Sequence, residues 1–345
     1  MHKGRRDQLR LTSMEKANMP RVTHSIASAI PQSLRTIVVA LFLAASATAA
    51  PPAPTVASDA GWRMVWSDEF EGKRIDRHKW DFDVDCAGGG NEERQCYTAR
   101  RNNALVKDGM LSIIARRESW HGPAQMHGQP AKDGIIQEAT KPFTSARMVT
   151  RGRASWRYGR VEVRARLPKG QGSWPAIWML PEEWHYGSWP RSGEIDIMEA
   201  VNLGTPCSTC AGGRENHVLG TIHFGDFAPR NKYLSTNVEL TGAIDAFHVY
   251  GMEWNPDRIV WTVDGKRYAE RHIGEWSTPA SPDRHAPFDR PFHLILNLAV
   301  GGHLSEERNL RGVADRGFPM TMQVDWVRVW QQENDAASTT LAKER

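Results

Sequence analysis

Ser192-Gly193-Glu194-Ile195-Asp196-Ile197-Met198-Glu199-Ala200 places three carboxylic acids within six residues of an otherwise apolar run. Its Ile-rich apolar positions and the glycine ahead of them read as a β-strand with one face in a core. Glu194 and Asp196, two apart, project from the same face. Glu199 stands at an odd offset, so a regular strand would turn it into the core beside Ile195 and Ile197. A one-residue bulge around Ile197-Met198 returns Glu199 to the face of the other two, and bulges recur beside active sites to re-aim a side chain in this way. The segment thus predicts a bulged strand with three acids on one face.

The rest of the chain agrees with a β architecture. Residues 110–115 (MLSIIA), 159–167 (GRVEVRARL), 259–263 followed by the Asp264-Gly265 hairpin signal, and 322–330 (MQVDWVRVW) are short β-rich runs. Apolar positions such as Val161, Val163 and Ala165 alternate with charged ones, as in strands with one buried and one wet face. The expectation is an all-β fold, two antiparallel sheets packed as a sandwich, over residues 62–332 with no internal repeat. Fourteen tryptophans suggest that one sheet face is concave and lined for a flat apolar ligand, although tryptophan in a core is the plainer reading of each. Residues 119–141 lack periodicity and read as a surface loop, residues 50–61 as a short linker and residues 333–345 as a polar tail.

Charge excludes one class of partner. The formal net charge is +4, but residues 1–49 carry seven Lys/Arg against Asp7 and Glu15, which leaves −1 for the remainder. Neither a nucleic-acid surface nor an anionic-membrane surface is implied for the main body. Residues 1–49 have the layout of an export signal: basic residues to Arg35, an apolar run over 37–45, and Ala47-Thr48-Ala49 as the cleavage region. Nine apolar residues fall far short of the roughly 20 that span a bilayer. The expected location is therefore secreted or periplasmic, without membrane attachment after cleavage, and with a monomer as the default.

Cys86, Cys96, Cys207 and Cys210 are an even set in a chain bound for an oxidising compartment, so two disulfides are expected, with three pairings open. Cys207-Ser208-Thr209-Cys210 also has the spacing of half a zinc site, but no second Cys or His pair stands at metal spacing near it, and a stapled loop is preferred.

Three acids on one face repel each other, which raises at least one pKa and keeps a protonated acid beside an ionised one. Glycoside hydrolysis uses such a pair, and carboxyls about 5 to 5.5 Å apart, the spacing close neighbours on one bulged strand supply, correspond to retention of configuration. Solvated surface acids or a magnesium or calcium site are the competing readings. The core residues behind the acids and the frame of Trp174, Trp178 and Trp189 weigh against both. From these residues alone, nothing decides which glutamate attacks. No Gly-x-Ser-x-Gly elbow or phosphate-binding loop is present, and Gly88-Gly89-Gly90 reads as a turn.

Glu194-Ile195-Asp196-Ile197-Met198-Glu199 resembles the signature of glycoside hydrolase family 16, in the longer form of its laminarinases. Trp66-Ser67-Asp68-Glu69-Phe70, Asn91-Glu92-Glu93-Arg94-Gln95, the segment from Gly172 to Leu180, that from Phe247 to Trp254, Leu296-Asn297-Leu298-Ala299-Val300-Gly301-Gly302 and Val324-Asp325-Trp326-Val327-Arg328-Val329 resemble that family in the same order. The resemblance implies a β-jelly-roll sandwich with a concave cleft and a catalytic domain over 62–332. It implies a retaining endo-glycosidase acting on internal β-1,3 or mixed β-1,3/1,4 glucan linkages. Glu194 would be the nucleophile, Asp196 its charge-tuning partner and Glu199 the acid/base, with no cofactor required for catalysis. Trp174, Trp178, Trp189, Asn91 and His223 become candidates for binding sugar. A structural calcium is implied at the Glu69 and Gly109 carbonyls and the Asp325 side chain. A non-catalytic glucan-binding protein, a transglycosylase and an algal galactan hydrolase are the alternatives on the same fold. The chain departs from the family pattern at Cys96, where an aromatic is usual, and in the 207–213 insert, which bears on the outer subsites.

Overall fold

Alternating buried and solvated positions set the architecture. In Gly159–Arg166 every second residue is buried, and in Met320–Gln332 the alternation shifts phase at a bulge between Val324 and Trp326. A computed structural model describes residues 61–129, 132–333 and 338–342. The export signal expected over 1–49 and nearly all of the linker lie outside the described residues.

Two large sheets face each other. One runs, in hydrogen-bonded order, Lys266–His272, Arg258–Val263, His248–Trp254, Gly159–Arg166, Met320–Gln332, Met110–Pro123, Glu138–Ser145 and Gln95–Tyr97. The other runs Asn231–Glu239, His217–Gly225, Glu194–Glu199, Ser173–Pro181, Phe292–Val300, Arg147–Val149 and Asp81–Asp83. Named-strand pairings are antiparallel except that of Gln95–Tyr97 with Glu138–Ser145. Between the sheets lies one apolar core. Leu111, Ile113, Val161, Val163, Val327 and Val329 come from the first sheet, and Ile177, Met179, Ile195, Ile197, Met198, Ile222, Leu294 and Leu296 from the second. Burying one such side chain stabilises by about 1.5–3 kcal/mol, so the interleaved faces fix which way each strand presents its side chains.

Two sequence expectations are corrected. Residues 119–141 are not one loop, because Met110–Pro123 continues to pair with Glu138–Ser145 through Trp120↔Lys141 and His121↔Thr140. Polar and ring contacts accompany the pairing where apolar alternation is lacking: His121 meets Glu138 at 2.6 Å across the hairpin, and the Arg100 guanidinium, from outside it, lies 4.0 Å from the Trp120 ring centre. The C-terminal tail is not wholly frayed either. Thr339–Ala342 forms a strand on Ala154–Arg157, and Gln331 fastens it by donating to the Thr339 carbonyl and accepting from the Thr340 hydroxyl. The disulfide partners are Cys86–Cys96 and Cys207–Cys210.

Trp261 links the sheets behind the acidic strand. Its Nε1 donates to the Asp196 carbonyl at 2.8 Å. Gly220 makes room for it, since a Cβ there would sit 2.5 Å from the indole and from the Tyr268 hydroxyl.

Candidate active site

Glu194–Glu199 contains the bulge that the spacing of its acids requires. Against Ser173–Pro181 the register passes from Trp178↔Asp196 to Ile177↔Met198, so one extra residue is accommodated on the acidic strand. The same excess appears against His217–Gly225, where Asp196↔Thr221 is followed by Glu199↔Leu219. Ile197 and Met198 both point into the core, with exposures of 1% and 0%. Glu199 is thereby turned back to the open face with Glu194 and Asp196.

Each acid has its own partner. Trp174 Nε1 donates to Glu199 Oε1 at 2.9 Å, and Trp189 Nε1 donates to Glu194 Oε2 at 2.8 Å. His223, paired in register with Glu194, sets Nε2 3.3 Å from Asp196 Oδ2 and 3.8 Å from Glu194 Oε1. Burial drives the Asp196 carboxyl well above the usual range, and the charges of Glu194 and Glu199 add to it. Burial likewise raises Glu199, with Glu194 contributing, against the opposing effects of His223 and the Trp174 hydrogen bond. For His223 burial works against the cation. The charge of Glu194, the hydrogen bond and charge of Asp196, and the charge of Glu199 overcome it and hold the imidazolium up to about 10. The face therefore combines Glu199, whose protonated form burial favours, with a second carboxyl, Glu194, set between an indole donor and a cation.

The other expected residues stand in a second ring. Trp178 is half-buried and donates to Asn297 Oδ1 at 2.6 Å; Asn297 donates to the Tyr97 hydroxyl at 3.0 Å, which donates to Glu93 Oε2 at 3.1 Å. Burial and the Glu93 charge push the Tyr97 phenol well above its ordinary value, so it serves as a neutral relay of hydrogen bonds. Arg147 lies over both the Tyr97 and Trp178 rings, 4.7 and 5.2 Å from their centres. Asn91 touches this ring through Glu93, to which its Nδ2 donates at 3.4 Å, while its Nδ2 also donates to the Gly89 carbonyl and its own carbonyl accepts from the His303 amide. Sequence reasoning quoted Glu93 and Asn297 without a role. The signal for Asn297 is a lone amide inside the fully buried run Phe292–Val300. Tyr233 was missed altogether. It is 65% exposed, pairs in register with His223 and stands 5.8 Å from it, ring centre to ring centre, while Trp189 stands 5.9 Å away on the other side.

The expected calcium ligands Glu69, Gly109 and Asp325 come from one region of the first sheet, where Met320–Gln332 pairs with both Trp62–Asp68 and Met110–Pro123. The Asp325 carboxylate is paired with Arg164, and the Glu69 carboxylate accepts two bonds from Arg328, of 3.0 and 2.9 Å, which leave its carbonyl unengaged by that arginine. The one side-chain ligand of the set is already paired with a guanidinium, so a calcium ion there would compete with Arg164 for the Asp325 carboxylate.

Residues 62–332 match the family model described as "Beta-porphyranase A-D, GH16 domain". The chain belongs to glycoside hydrolase family 16. It is 44% identical to a beta-glucanase of Rhodothermus marinus over 276 residues, 78% of this chain and 85% of that protein. It is 32% identical to a beta-1,3-glucan-binding protein of Penaeus monodon, over 79% of this chain and 91% of that one. The X-ray structure of the laminarinase from Rhodothermus marinus superposes with a TM-score of 0.63 at 42% identity, covering 78% of this chain and 97% of that one. This glycoside hydrolase thus has the jelly-roll sandwich of its solved relatives.

A pH experiment tests the electrostatics of the acidic face. Removing the cation in His223→Gln makes Glu199 harder to ionise, so its pKa rises further. The alkaline limb of the kcat/KM profile is expected to move up by about one pH unit. A limb that stays in place or moves down contradicts this arrangement.

Proposed function

We propose that this chain is a retaining endo-glycosidase that hydrolyses internal β-1,3, and mixed β-1,3/1,4, linkages of β-glucan. The bulge at Ile197-Met198 carries the proposal, because it alone brings Glu199 to the face that bears Glu194. Their unequal surroundings support a division of labour. Glu199, buried and raised, keeps a proton to give to the glycosidic oxygen as the bond breaks. Glu194, with the Trp189 indole on one oxygen and His223 near the other, attacks the anomeric carbon and forms a glycosyl ester. Glu199, now a carboxylate, takes a proton from water, which displaces Glu194 and restores the starting configuration. Asp196 shares its proton and charge with His223 between the two. The indoles of Trp174 and Trp189 fix the carboxyl orientations, and the exposed faces of Trp189 and Tyr233 offer apolar surface to pyranose rings. Names of relatives, beta-glucanase and laminarinase, support glucan as the substrate.

A galactan is the second reading, favoured by the matching family model, whose description names β-porphyranases. Release of reducing sugar from laminarin, mixed-linkage glucan, agarose and carrageenan, measured side by side, separates the two. Oligosaccharides released rapidly from laminarin are the expected result. Release from agarose or carrageenan alone overturns the glucan assignment, and binding without release from any of them moves the protein to the glucan-binding class.

Work on an extracellular polymer fits the export signal read in residues 1–49 and the two disulfides. No described helix is long and apolar enough to cross a membrane. We read the enzyme as a secreted monomer whose stability does not depend on calcium at Asp325. Exhaustive chelation is expected to shift Tm by less than about 2 °C, whereas a tightly bound ion at saturating concentration would contribute several kcal/mol and a larger shift.

A further inference from the structure

Cys207 and Cys210, in the insert after the acidic strand, close a disulfide ring over two intervening residues. Both are half-buried between exposed neighbours, residues 208–209 and 211–214, whereas Cys86 and Cys96 are 2% and 0% exposed. A reductant therefore reaches one disulfide and not the other. So short a loop also constrains the unfolded chain little, and opening it costs the fold correspondingly little.

In the linear sequence this C-x-x-C pair stands without partners, but the fold supplies them. Cys207 Sγ, Cys210 Sγ and a Glu215 carboxylate oxygen lie within 4.8 Å of one another. Cys210 Sγ is 3.7 Å from Glu215 Oε2 and 3.8 Å from His217 Nδ1. These two ligand types sit on fixed backbone: Glu215 exchanges hydrogen bonds with Thr205 and Gly204, and His217 opens the strand His217–Gly225, where it pairs with Glu239. A site on paired backbone holds its geometry better than one on a loop tip.

We propose that Cys207, Cys210, Glu215 and His217 form a redox-gated site for a zinc-type divalent cation. In the oxidised protein neither sulfur is a thiolate. A dithiol reductant delivers two electrons and two protons to the S–S bond, is itself oxidised to a cyclic disulfide, and leaves Cys207 and Cys210 as thiols. The cation then displaces the two thiol protons to solvent and takes both thiolates, His217 Nδ1 and Glu215 Oε2. Two sulfurs, one nitrogen and one oxygen make the four-ligand set that zinc prefers and that calcium and magnesium do not. Glu239 Oε1 lies 3.5 Å from His217 Nε2, a carboxylate beside the ring nitrogen that the cation does not take. Glu215 Oε2 also accepts from Asn309 at 3.1 Å and Glu215 Oε1 is hydrogen-bonded to His217 Nδ1 at 2.9 Å, so capture of the cation competes with both bonds and draws His217 in beside the three groups already clustered.

The test uses the purified protein, a mild dithiol and cobalt(II) as a spectroscopic probe under anaerobic conditions. Alkylation and peptide mass spectrometry after reduction should label Cys207 and Cys210 and leave Cys86 and Cys96 unlabelled. Cobalt(II) should then bind one per chain with thiolate-to-metal charge-transfer absorption and the visible bands of a tetrahedral ion. That signal should be missing from the oxidised protein and from Cys207→Ser, and should weaken about tenfold or more in His217→Ala. The proposal is overturned if the reduced protein gives no thiolate–cobalt absorption, if the absorption survives Cys207→Ser, or if Cys86 and Cys96 are labelled first. Should Cys207→Ser fail to fold, labelling and cobalt uptake in the unsubstituted protein still decide the matter.

Discussion

Glu194→Gln is expected to lower turnover of laminarin by about 10⁴-fold or more while glucan still binds, because an amide cannot form the glycosyl ester. The substitution is nearly isosteric. The Trp189 indole can keep its hydrogen bond to the remaining carbonyl oxygen, and the core side chains Ile195, Ile197 and Met198 are untouched. Unchanged Tm alongside lost activity separates this from unfolding. Binding is measured by affinity electrophoresis in laminarin or by calorimetry with a laminari-oligosaccharide. Activity within tenfold of the unsubstituted enzyme contradicts the role given to Glu194.

For Glu199→Gln the loss depends on the leaving group. A general acid is worth about 10² to 10⁴ in rate, and this loss is expected in full on laminarin, whose leaving sugar must be protonated. An aryl β-glycoside with an acidic phenol leaves without that help, so formation of its glycosyl ester should slow by less than about tenfold. The pH profile supplies a second signature. Glu199 is raised by burial, so it is protonated and competent below its folded pKa and loses that competence as pH rises through it. On the aryl substrate the alkaline limb of kcat/KM should disappear in Glu199→Gln. Equal losses on both substrates, with the limb intact, would assign the proton transfer to another residue.

The acidic strand shows how far sequence reading carries and where it stops. Strand parity alone demanded either a buried carboxylate at 199 or a bulge, and the core preference of Ile197 and Met198 decided for the bulge. The sandwich was legible for the same reason, since period-two burial is written into 159–166 and 322–330. The hairpin around Trp120 was not legible, because charge and ring contacts accompany its pairing and no apolar alternation marks it. Thr339–Ala342 was missed because four residues beyond a polar stretch are too few to show a period. Within the site, residues that act through direct chemistry were visible as unusual types in an apolar strand, whereas Tyr233 sits in the polar edge strand Asn231–Glu239 and gains meaning only from its register with His223. The partners of Cys210 were hidden similarly. Glu215 and His217 are ordinary surface types until the chain turns back and brings them beside the sulfur.

The most direct test of the central claim is covalent trapping of the glycosyl-enzyme with a 2-deoxy-2-fluoro laminaribiosyl fluoride, followed by peptide mass spectrometry. The 2-fluoro group slows both steps by destabilising the oxocarbenium-like transition state, and the good leaving group restores the first, so the ester accumulates. The account predicts time-dependent inactivation and a single disaccharide adduct on the peptide containing residues 192–200, with the sugar on Glu194. An adduct on Glu199 or on another peptide, or turnover of laminarin that releases the inverted anomer with no adduct formed, would contradict it.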